Sequence, residues 1–349
     1  MKRKVAVAMS GGVDSSVAAA IMVEGGHQVV GVTMRLWGED RDSEPSIASA
    51  KEVSAKLGIE HKVLDLRESF RKDVIDYFID EYLAALTPNP CVRCNELIKF
   101  GALMKLVDLL RAERLVTGHY ARVLINGRTG RYNLLRAVDI EKDQSYFLYR
   151  LTQAQLAATE FPLGEMTKRE ARAKAAALGL PNAERAESQE VCFIPEDDYR
   201  GFIESERPDA MREGEFVDES GAVLGSHRGV AFYTVGQRKG LGVSSPLGRR
   251  YVLDRDPATN RITLGDEDSL KKEGCTAGSL NWIIDGLSGG PIEADVKLRY
   301  RSEPVPATIQ PDGETAQVRF RRPVAGVSPG QSAVFYDGDA VLGGGIILK

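Results

Sequence analysis

The chain has little of what marks several classes of protein. Four cysteines among 349 residues are too few for a disulfide-built scaffold. No stretch approaches the ~18 uninterrupted apolar residues of a membrane-spanning helix. The formal net charge is only −4, so a nucleic-acid site would have to be a local basic patch. With 43% hydrophobic and 28% charged residues, the composition is that of an ordinary globular protein of two or three domains.

The N-terminus shows the basic residues that begin a signal peptide but not the long apolar region that follows them. Lys2, Arg3 and Lys4 precede an apolar stretch, but glycines and Asp14 interrupt that stretch. It therefore falls short of ~7–15 residues, the usual length of the apolar region of a signal peptide. We expect a cytoplasmic protein without a cleaved leader.

Strand-like and helix-like segments alternate over residues 1–195. The predicted strands are 4–9, 28–34, 60–65 and 114–117, and the predicted helices are 13–24, 46–57, 68–85 and 97–110. Strands separated by helices of this length form crossover units, so the pattern predicts an α/β fold with a parallel sheet. Ligands on such sheets bind beyond the carboxyl ends of the strands.

The pattern changes near Pro195. Residues 196–273 are rich in glycine and in short strand-like runs such as 230–235. From residue 274 onward, alternating strands are separated by Asp-Gly turns at 285–286, 312–313 and 337–338. This composition and turn spacing predict a small central domain, 196–273, and a closed or sandwich-like β domain, 274–349.

A glycine-rich loop, Ser10–Ser15, lies between the first predicted strand and the first predicted helix. Glycines let the backbone approach an anion, and the free amides of a helix start attract one. Ser10, Ser15 and Ser16 could add hydroxyl donors, whereas the alternative is a plain glycine turn with a serine cap. Neither the Walker nor the Rossmann spacing is present. The loop resembles the SGGxDS motif of the ATP pyrophosphatase (PP-loop) superfamily, which implies cleavage of ATP between its α- and β-phosphates.

Asp14 would repel phosphates as a bare carboxylate. It could help to hold Mg²⁺ or to orient the loop, or it could be an ordinary acid in the first turn of a helix, where the dipole favours it. The sequence does not decide between these roles.

Three of the four cysteines stand in polar, motif-like surroundings. Cys91 and Cys94 follow two prolines, just before a predicted helix, where a lowered thiol pKa would favour reactivity. Cys192 is far along the chain, and Cys275 reads as an inert residue at a strand start. A structural zinc site normally needs a second pair of ligands, which the sequence lacks. The pair could also be a thioredoxin-like redox site or two incidental buried thiols, but neither of these roles, nor a zinc site, explains Cys192.

Taken together, the motifs resemble those of the tRNA-specific 2-thiouridylase family over nearly the whole chain. They follow the family's order at Ser10–Ser16, Thr87–Pro90, Cys94–Asn95, Ile98–Phe100, Thr117–Arg122, Lys142–Leu148, Cys192–Ile194, Gly236–Gly242, Leu280–Trp282 and Pro329–Gln331. The resemblance implies a PP-loop adenylating domain at 1–195, a central tRNA-binding domain at 196–273 and a C-terminal β-barrel at 274–349. It also implies ATP and Mg²⁺ as cofactors and a tRNA anticodon loop as the partner.

Family membership implies a reaction that replaces the C2 oxygen of the wobble uridine (position 34) with sulfur. ATP first adenylates that oxygen, and Cys192 then carries the sulfur as a persulfide. Cys94 releases the product by forming a disulfide with Cys192. The implied ATP-binding residues are Ala8, Met9, Ser10, Gly11, Gly12, Val13, Asp14, Ser15, Met34 and Gly118. A sulfur donor or relay protein is a further implied partner, and the tRNAs are those for Glu, Gln and Lys.

Cys91 departs from the family, because many members have Asp at this position. Cys91, Cys94 and Cys192 could instead ligate a [4Fe–4S] cluster, which normally takes four ligands and would then leave one iron open for sulfide. Our hypothesis is that this chain is of the cluster-dependent type, with the persulfide route as the alternative.

Several residues are implied to contact tRNA. The target base lies in a single-stranded loop and can be inserted into a pocket. By resemblance the contacts are made by Asn89, Pro90, His119, Lys142, Asp143, Gln144, Arg299, Tyr300 and Gln331. Residues 226–262 also contain seven Lys or Arg against two acids, which suggests a phosphate-binding stretch, although a solvated loop face would look the same.

Two other functions would account for part of these motifs. One is a PP-loop synthetase acting on a small molecule, which would not need the cysteines. The other is a non-catalytic RNA-binding or iron–sulfur protein with a relic ATP loop. A monomer is the default oligomeric state.

Overall fold

A computed structural model of the chain describes residues 2–38, 40–185, 191–243, 249–284 and 290–349. Its strands, numbered in chain order, are β1 (Lys4–Ala8), β2 (Gln28–Arg35), β3 (Glu60–Asp65), β4 (Arg114–Val116), β5 (Ala121–Ile125), β6 (Tyr132–Arg136), β7 (Thr159–Glu160), β8 (Gly214–Val217), β9 (Val223–His227), β10 (Tyr251–Asp256), β11 (Arg261–Gly265), β12 (Lys271–Trp282), β13 (Ile292–Lys297), β14 (Val305–Asp312), β15 (Thr315–Ala325), β16 (Ser332–Asp337) and β17 (Ala340–Ile347). Its helical segments are Val13–Glu24, Asp40–Leu57, Arg67–Phe70, Arg71–Asp76, Tyr77–Leu83, Pro90–Cys94, Asn95–Ala102, Leu103–Leu109, Gln153–Ala157, Lys168–Ala177 and Tyr199–Glu206. Short 3₁₀ turns occupy Ser145–Phe147, Pro195–Asp197, Pro208–Ala210 and Val230–Phe232.

The first part of the chain is built on a five-stranded parallel sheet in the order β3-β2-β1-β4-β7. β1 takes the central position because Val5, Ala6 and Val7 are wholly buried, as a strand covered on both faces requires. The chain leaves β1 at its carboxyl end and enters the glycine-rich loop, which is where this architecture binds ligands. The predicted α/β fold with a parallel sheet is confirmed.

The helix that carries two of the cysteines begins earlier than predicted. Asn89 caps it, with the side-chain Oδ1 accepting a hydrogen bond from the Val92 amide at 3.2 Å, and Pro90 occupies the first turn. The segments Pro90–Cys94, Asn95–Ala102 and Leu103–Leu109 follow one another without a break, and the middle one has the wider π-helical winding. The predicted start at residue 97 was wrong because Asn-Pro is here a helix cap and not a loop.

The central part contains a four-stranded sheet in the order β10-β11-β8-β9. The strand predicted over residues 230–235 is absent, and Val230–Phe232 forms a buried 3₁₀ turn that packs in the same core as Phe216. A short apolar run does not distinguish a buried strand from a buried turn, and this is why that prediction failed.

The C-terminal part is a closed antiparallel barrel. The order β12-β15-β14-β13-β16-β17 closes because β12 also pairs with β17, which makes six strands. The predicted turn at 312–313 joins β14 to β15 and the one at 337–338 joins β16 to β17, while the turn at 285–286 lies outside the described residues. An unpredicted hairpin, β5–β6, extends the sheet from β17 and joins the first part to the barrel.

No helix within the described ranges is both long enough and apolar enough to cross a bilayer.

Candidate active site

The glycine-rich loop is held by three hydrogen bonds to one of its carbonyl oxygens. The Gly11 oxygen accepts bonds from Ser49 Oγ at 2.9 Å, Asn182 Nδ2 at 2.8 Å and an Arg185 guanidinium nitrogen at 3.2 Å. Gly12 begins the helix Val13–Glu24, and no side chain caps its first amides. A helix start with uncapped amides attracts an anion, so this arrangement suits a phosphate group.

Two glycines in and beside the loop are required by their surroundings. Gly11 has φ +73°, and a Cβ there would lie 2.5 Å from the Ser46 carbonyl oxygen. A Cβ on Gly118 would lie 2.7 Å from the Ser15 amide nitrogen. Gly118 ends the segment after β4 and packs directly on the helix start, so the two predicted ATP-site segments meet without any intervening side chain.

Asp14 is paired within the protein. Lys168 Nζ donates to both of its carboxylate oxygens, at 2.7 and 2.8 Å, and the Tyr120 hydroxyl donates to Oδ1 at 2.9 Å. Lys168 is only 9% exposed. Of the roles that the sequence left open for Asp14, this geometry favours orientation of the loop, because a metal ion at Asp14 would have to compete with the Lys168 ammonium.

The other predicted ATP-site residues line the same end of the sheet. Ser15 Oγ accepts from the Ser10 amide at 3.2 Å and donates to the Gly12 oxygen at 2.9 Å. The Met9 amide bonds to the Val32 carbonyl at 2.8 Å, and Val13 is buried. Ala8 ends β1, and Met34 lies in the neighbouring β2, partly buried.

The structure brings the three motif cysteines to one region. Cys91 lies in the first turn of the helix that begins at Pro90 and Cys94 at the start of the next turn, and Cys94 is buried. Cys192 precedes Phe193, which packs edge-on against Phe70 and Phe78 in the core that also contains Cys94. Burial, and after it the nearby Cys94 and Cys91 thiols, raise the pKa of Cys192.

The prediction of a lowered thiol pKa was wrong. Burial raises the pKa of Cys94 to about 11, and burial also raises the pKa of Cys91. Burial and the neighbouring thiols raise the pKa of Cys192, although its surface is exposed and water offsets part of that effect. The capped helix start does not overcome the loss of solvent, so Cys94 is protonated at neutral pH.

His119 lies between two parts of the site. One is the helix that begins at Pro90 and carries Cys91 and Cys94, here called the thiol helix, and the other is the glycine-rich loop Ser10–Ser15, here called the phosphate loop. Its Nδ1 is 2.7 Å from Thr117 Oγ1, and its Nε2 is 3.5 Å from Lys99 Nζ. Burial, followed by the Lys99 charge, lowers the pKa of His119 well below its usual value. The ring is therefore neutral, and because an ammonium can only donate, Nε2 is the acceptor and Nδ1 carries the proton.

Asp143 is buried inside the loop in which we expected a tRNA contact. Its Oδ1 accepts from the Ala137 and Ser145 amides, both at 3.1 Å, and its Oδ2 accepts from Ser145 Oγ at 2.8 Å. At 3% exposure the carboxylate has no free face for a base edge, so it stabilises the loop from within. The neighbouring Gln144 accepts from the Tyr120 amide at 3.1 Å, and Lys142 is partly exposed.

The remaining predicted tRNA contacts lie near the start of the thiol helix or on the barrel. Gln331 Nε2 donates to the carbonyl oxygens of Thr87 and Pro88, at 2.8 and 3.2 Å. The Arg299 guanidinium donates to the Gly326 carbonyl, and the Tyr300 ring packs on Phe147 with centroids 4.4 Å apart. Asn89 and Pro90 begin the helix itself.

Only part of the basic stretch 226–262 is available to a partner. Arg255 is 1% exposed, and it donates to the Tyr233 carbonyl and to Thr87 Oγ1. Arg228 and Arg261 form ion pairs with Glu204 and Glu215. Exposed cations remain at Arg238, Lys239 and Arg249.

Sequence reasoning missed the residues that support the loop. Ser49, Tyr120, Lys168 and the turn that contains Asn182 and Arg185 are four separate segments, and only the fold brings them together. A local signal existed for one of them, since Thr167 and Glu170 form a capping box that marks the start of the helix carrying Lys168. That signal gives the helix start but not the partner of Lys168.

Comparison with known families divides the chain into three parts. Residues 3–196 match the family described as tRNA methyl transferase HUP domain, residues 200–266 the tRNA methyl transferase PRC-barrel domain, and residues 272–347 the aminomethyltransferase beta-barrel domain.

Curated relatives match along almost the whole length. The tRNA-specific 2-thiouridylase MnmA of Heliobacterium modesticaldum is 48% identical over an alignment of 361 positions, which covers 100% of this chain and 93% of that protein. The protein of the same name from Geotalea uraniireducens is 49% identical, with 99% of this chain and 95% of that protein covered. The one from Chloroflexus aurantiacus is 48% identical, with 99% and 98% covered.

Proposed function

The chain belongs to the tRNA-specific 2-thiouridylase family, and we propose that it uses ATP to replace the C2 oxygen of the wobble uridine, position 34, of tRNA with sulfur. The observation that carries this proposal is the close packing of Gly118 on the start of the helix Val13–Glu24. The next residue, His119, contacts Lys99 of the helix that carries the thiols, so the phosphate-binding loop and the thiols are connected through this segment. An ATP-dependent tRNA sulfurtransferase needs both parts in one domain.

In the first step the uridine O2 attacks the α-phosphorus of ATP. An O2–P bond forms, the bond from that phosphorus to the β-phosphate oxygen breaks, and pyrophosphate leaves while N3 loses its proton. The uncapped amides at the start of Val13–Glu24 hold the phosphates and stabilise the charge that develops on them, while the Ser15 hydroxyl, which donates to the Gly12 oxygen, supports the loop. Mg²⁺, when bound with ATP, would neutralise phosphate charge, and the occupied Asp14 carboxylate makes ATP itself the better source of ligands for the ion.

In the second step a sulfur nucleophile on Cys192 replaces the activated oxygen. The terminal sulfur of a Cys192 persulfide attacks C2, and AMP leaves with the former uridine oxygen. Cys94 then attacks Sγ of Cys192, so that the persulfide bond breaks and a Cys94–Cys192 disulfide forms. The thiouridine anion takes up the N3 proton, and an external reductant must reopen the disulfide.

The sulfur source is the finer part of the proposal. Among the residues that the structure describes, no group of three His, Cys, Asp or Glu side chains is placed to hold a metal ion. No step above depends on a cluster. Iron and sulfide analysis after anaerobic purification tests the cluster-dependent route, in which Cys91, Cys94 and Cys192 ligate [4Fe–4S].

We place the tRNA anticodon loop against Lys142, the start of the thiol helix at Asn89 and Pro90, and the barrel residues Arg299, Tyr300 and Gln331. The exposed cations Arg238, Lys239 and Arg249 provide sites for backbone phosphates. A sulfur donor or relay protein, a monomeric enzyme and a cytoplasmic location complete the proposal.

One assay tests the function directly. tRNA is incubated with the protein, ATP and a sulfur source, digested to nucleosides and analysed for 2-thiouridine. The wild type is expected to form it, and Cys94→Ser and Cys192→Ser are not. Cys275→Ser is the matched control because this thiol lies in β12 of the barrel. Pyrophosphate release from ATP without tRNA, and no 2-thiouridine with it, would instead favour a synthetase for a small molecule.

A further inference from the structure

The Asp14 carboxylate is held from two sides by residues of different segments. Tyr120, 2% exposed, donates its hydroxyl to Oδ1, and Lys168 donates its ammonium to both oxygens. Asp14 lies in the first turn of the helix whose amides face the phosphate site. A change in either partner therefore acts on the start of that helix.

The same two residues are bonded through their main chains to the loop that contains Lys142. At one end of this loop, Asp139 Oδ2 accepts from the Lys168 amide at 2.8 Å. At the other end, Gln144 makes two bonds to Tyr120, with its Oε1 accepting from the Tyr120 amide at 3.1 Å and its own amide donating to the Tyr120 carbonyl at 2.8 Å. Both ends of the loop 139–144 thus contact the two residues that hold Asp14.

The loop is also stiff between its ends. The Lys142 amide donates to the Asp139 carbonyl at 3.1 Å, and the buried Asp143 accepts three hydrogen bonds. Coupling between distant sites is carried by contiguous hydrogen-bond networks and rigid elements of this kind. The path from the loop to the phosphate site is short, because it consists of one tyrosine on one side and one lysine on the other.

We propose that Tyr120 is a positioning residue that couples tRNA bound at the loop 139–144 to the geometry of the phosphate loop. The inference rests on the proposed function, since it takes Lys142 as a tRNA contact and ATP as the ligand of the phosphate loop. Lys168, bonded to Asp139, forms the second connection. By linkage, ATP must then tighten tRNA binding by the same factor with which tRNA tightens ATP binding.

Binding measurements with a non-cleavable nucleotide test this coupling. The dissociation constant of α,β-methylene-ATP is measured by calorimetry with and without a saturating tRNA transcript that carries the wobble uridine. For the wild type we expect tRNA to tighten nucleotide binding about fivefold or more, the usual range for coupled sites. For Tyr120→Phe, which keeps the ring and removes only the hydroxyl, we expect this ratio to fall about twofold or more, because only the Lys168 connection remains, with tRNA binding alone unchanged.

Control variants separate coupling from a general loss of structure. Tyr199→Phe removes a hydroxyl that bonds to the Phe232 carbonyl in the central part and should keep the wild-type ratio. If Tyr120→Phe folds poorly, Asp139→Ala breaks the other end of the connection and should also lower the ratio.

Two results would overturn the inference: a wild-type ratio of one, or a wild-type ratio retained by folded Tyr120→Phe or Asp139→Ala. A coupled wild type that forms no 2-thiouridine would count against the proposed function and leave the coupling in place.

Discussion

The phosphate loop and the thiol region are prepared for their tasks to different degrees. In the loop, the Gly11 carbonyl has three donors, Asp14 has two partners and the helix amides face the site uncapped. In the thiol region, the pKa of each motif cysteine is raised. The phosphate loop is thus preorganised for the adenylating half of the proposed reaction, whereas the thiols of the sulfur half are held in their protonated form.

The largest expected effect separates these two halves. Cys94→Ser or Cys192→Ser should lower thiolation by about a thousandfold or more, since each removes a group that forms or breaks a bond. Neither change touches the phosphate loop, so α,β-methylene-ATP should bind both variants within about twofold of the wild type. Mass spectrometry of digested tRNA and calorimetry give the two readouts. Loss of nucleotide binding along with thiolation would show that the regions are not independent.

Gly118→Ala should weaken nucleotide binding, which the two cysteine variants are expected to retain. The added methyl group would lie 2.7 Å from the Ser15 amide nitrogen, so the helix start must move. Overpacking of this kind costs about 1–3 kcal/mol, which corresponds to roughly 5–150-fold weaker nucleotide binding. Gly127→Ala is the matched control, because a Cβ there meets nothing within 4 Å. Equal nucleotide affinity for the two variants would contradict the close packing at Gly118.

The sequence was informative where a site is local. The glycines, serines and Asp14 of the phosphate loop are contiguous, so their spacing alone indicated an anion site at the end of β1. The ionisation of Cys94 was not predictable, because it depends on packing by Phe193 and other residues distant along the chain. Asp143 and Arg255 were misread for the same reason, since a polar residue in a short motif gives no sign that the fold will bury it.

The raised pKa of Cys94 predicts how its thiol reacts with pH. Because burial raises that pKa to about 11, the thiolate fraction should grow about tenfold per pH unit from pH 7 to pH 10. A Cys91→Ser/Cys192→Ser/Cys275→Ser protein leaves Cys94 alone, and its rate of alkylation by iodoacetamide reports this fraction. A rate that levels off near pH 8.5 would show that Cys94 ionises like an ordinary cysteine, and it would contradict the contrast between the thiol region and the phosphate loop.

Arg255, in the central part, holds Thr87 in the segment that leads into the thiol helix. Its guanidinium donates to Thr87 Oγ1 at 2.9 Å, and Gln331 of the barrel donates to the Thr87 carbonyl. Arg255→Met should leave both acceptors of Arg255 short of a donor and lower the free energy of unfolding by about 1–3 kcal/mol. Chemical denaturation measures the change, with the exposed Arg238→Met as the control. Similar stability for the two variants would mean that Thr87 is held without Arg255.

The smallest expected effect concerns a surface that belongs to neither region. Arg249 is exposed and Arg250 half-buried in the basic stretch, and a cation that neutralises a phosphate releases a counterion. Arg249→Ala with Arg250→Ala should make the slope of log affinity for tRNA against log salt shallower by about 0.7 per lost contact, hence by at most ~1.4. Nucleotide affinity and Cys94 alkylation should not change, because neither the helix start nor the thiol lies on this surface. A salt titration of tRNA binding decides the matter: an unchanged slope would exclude the pair from the tRNA footprint, and a changed nucleotide affinity would mean that the backbone-binding surface is coupled to the phosphate loop.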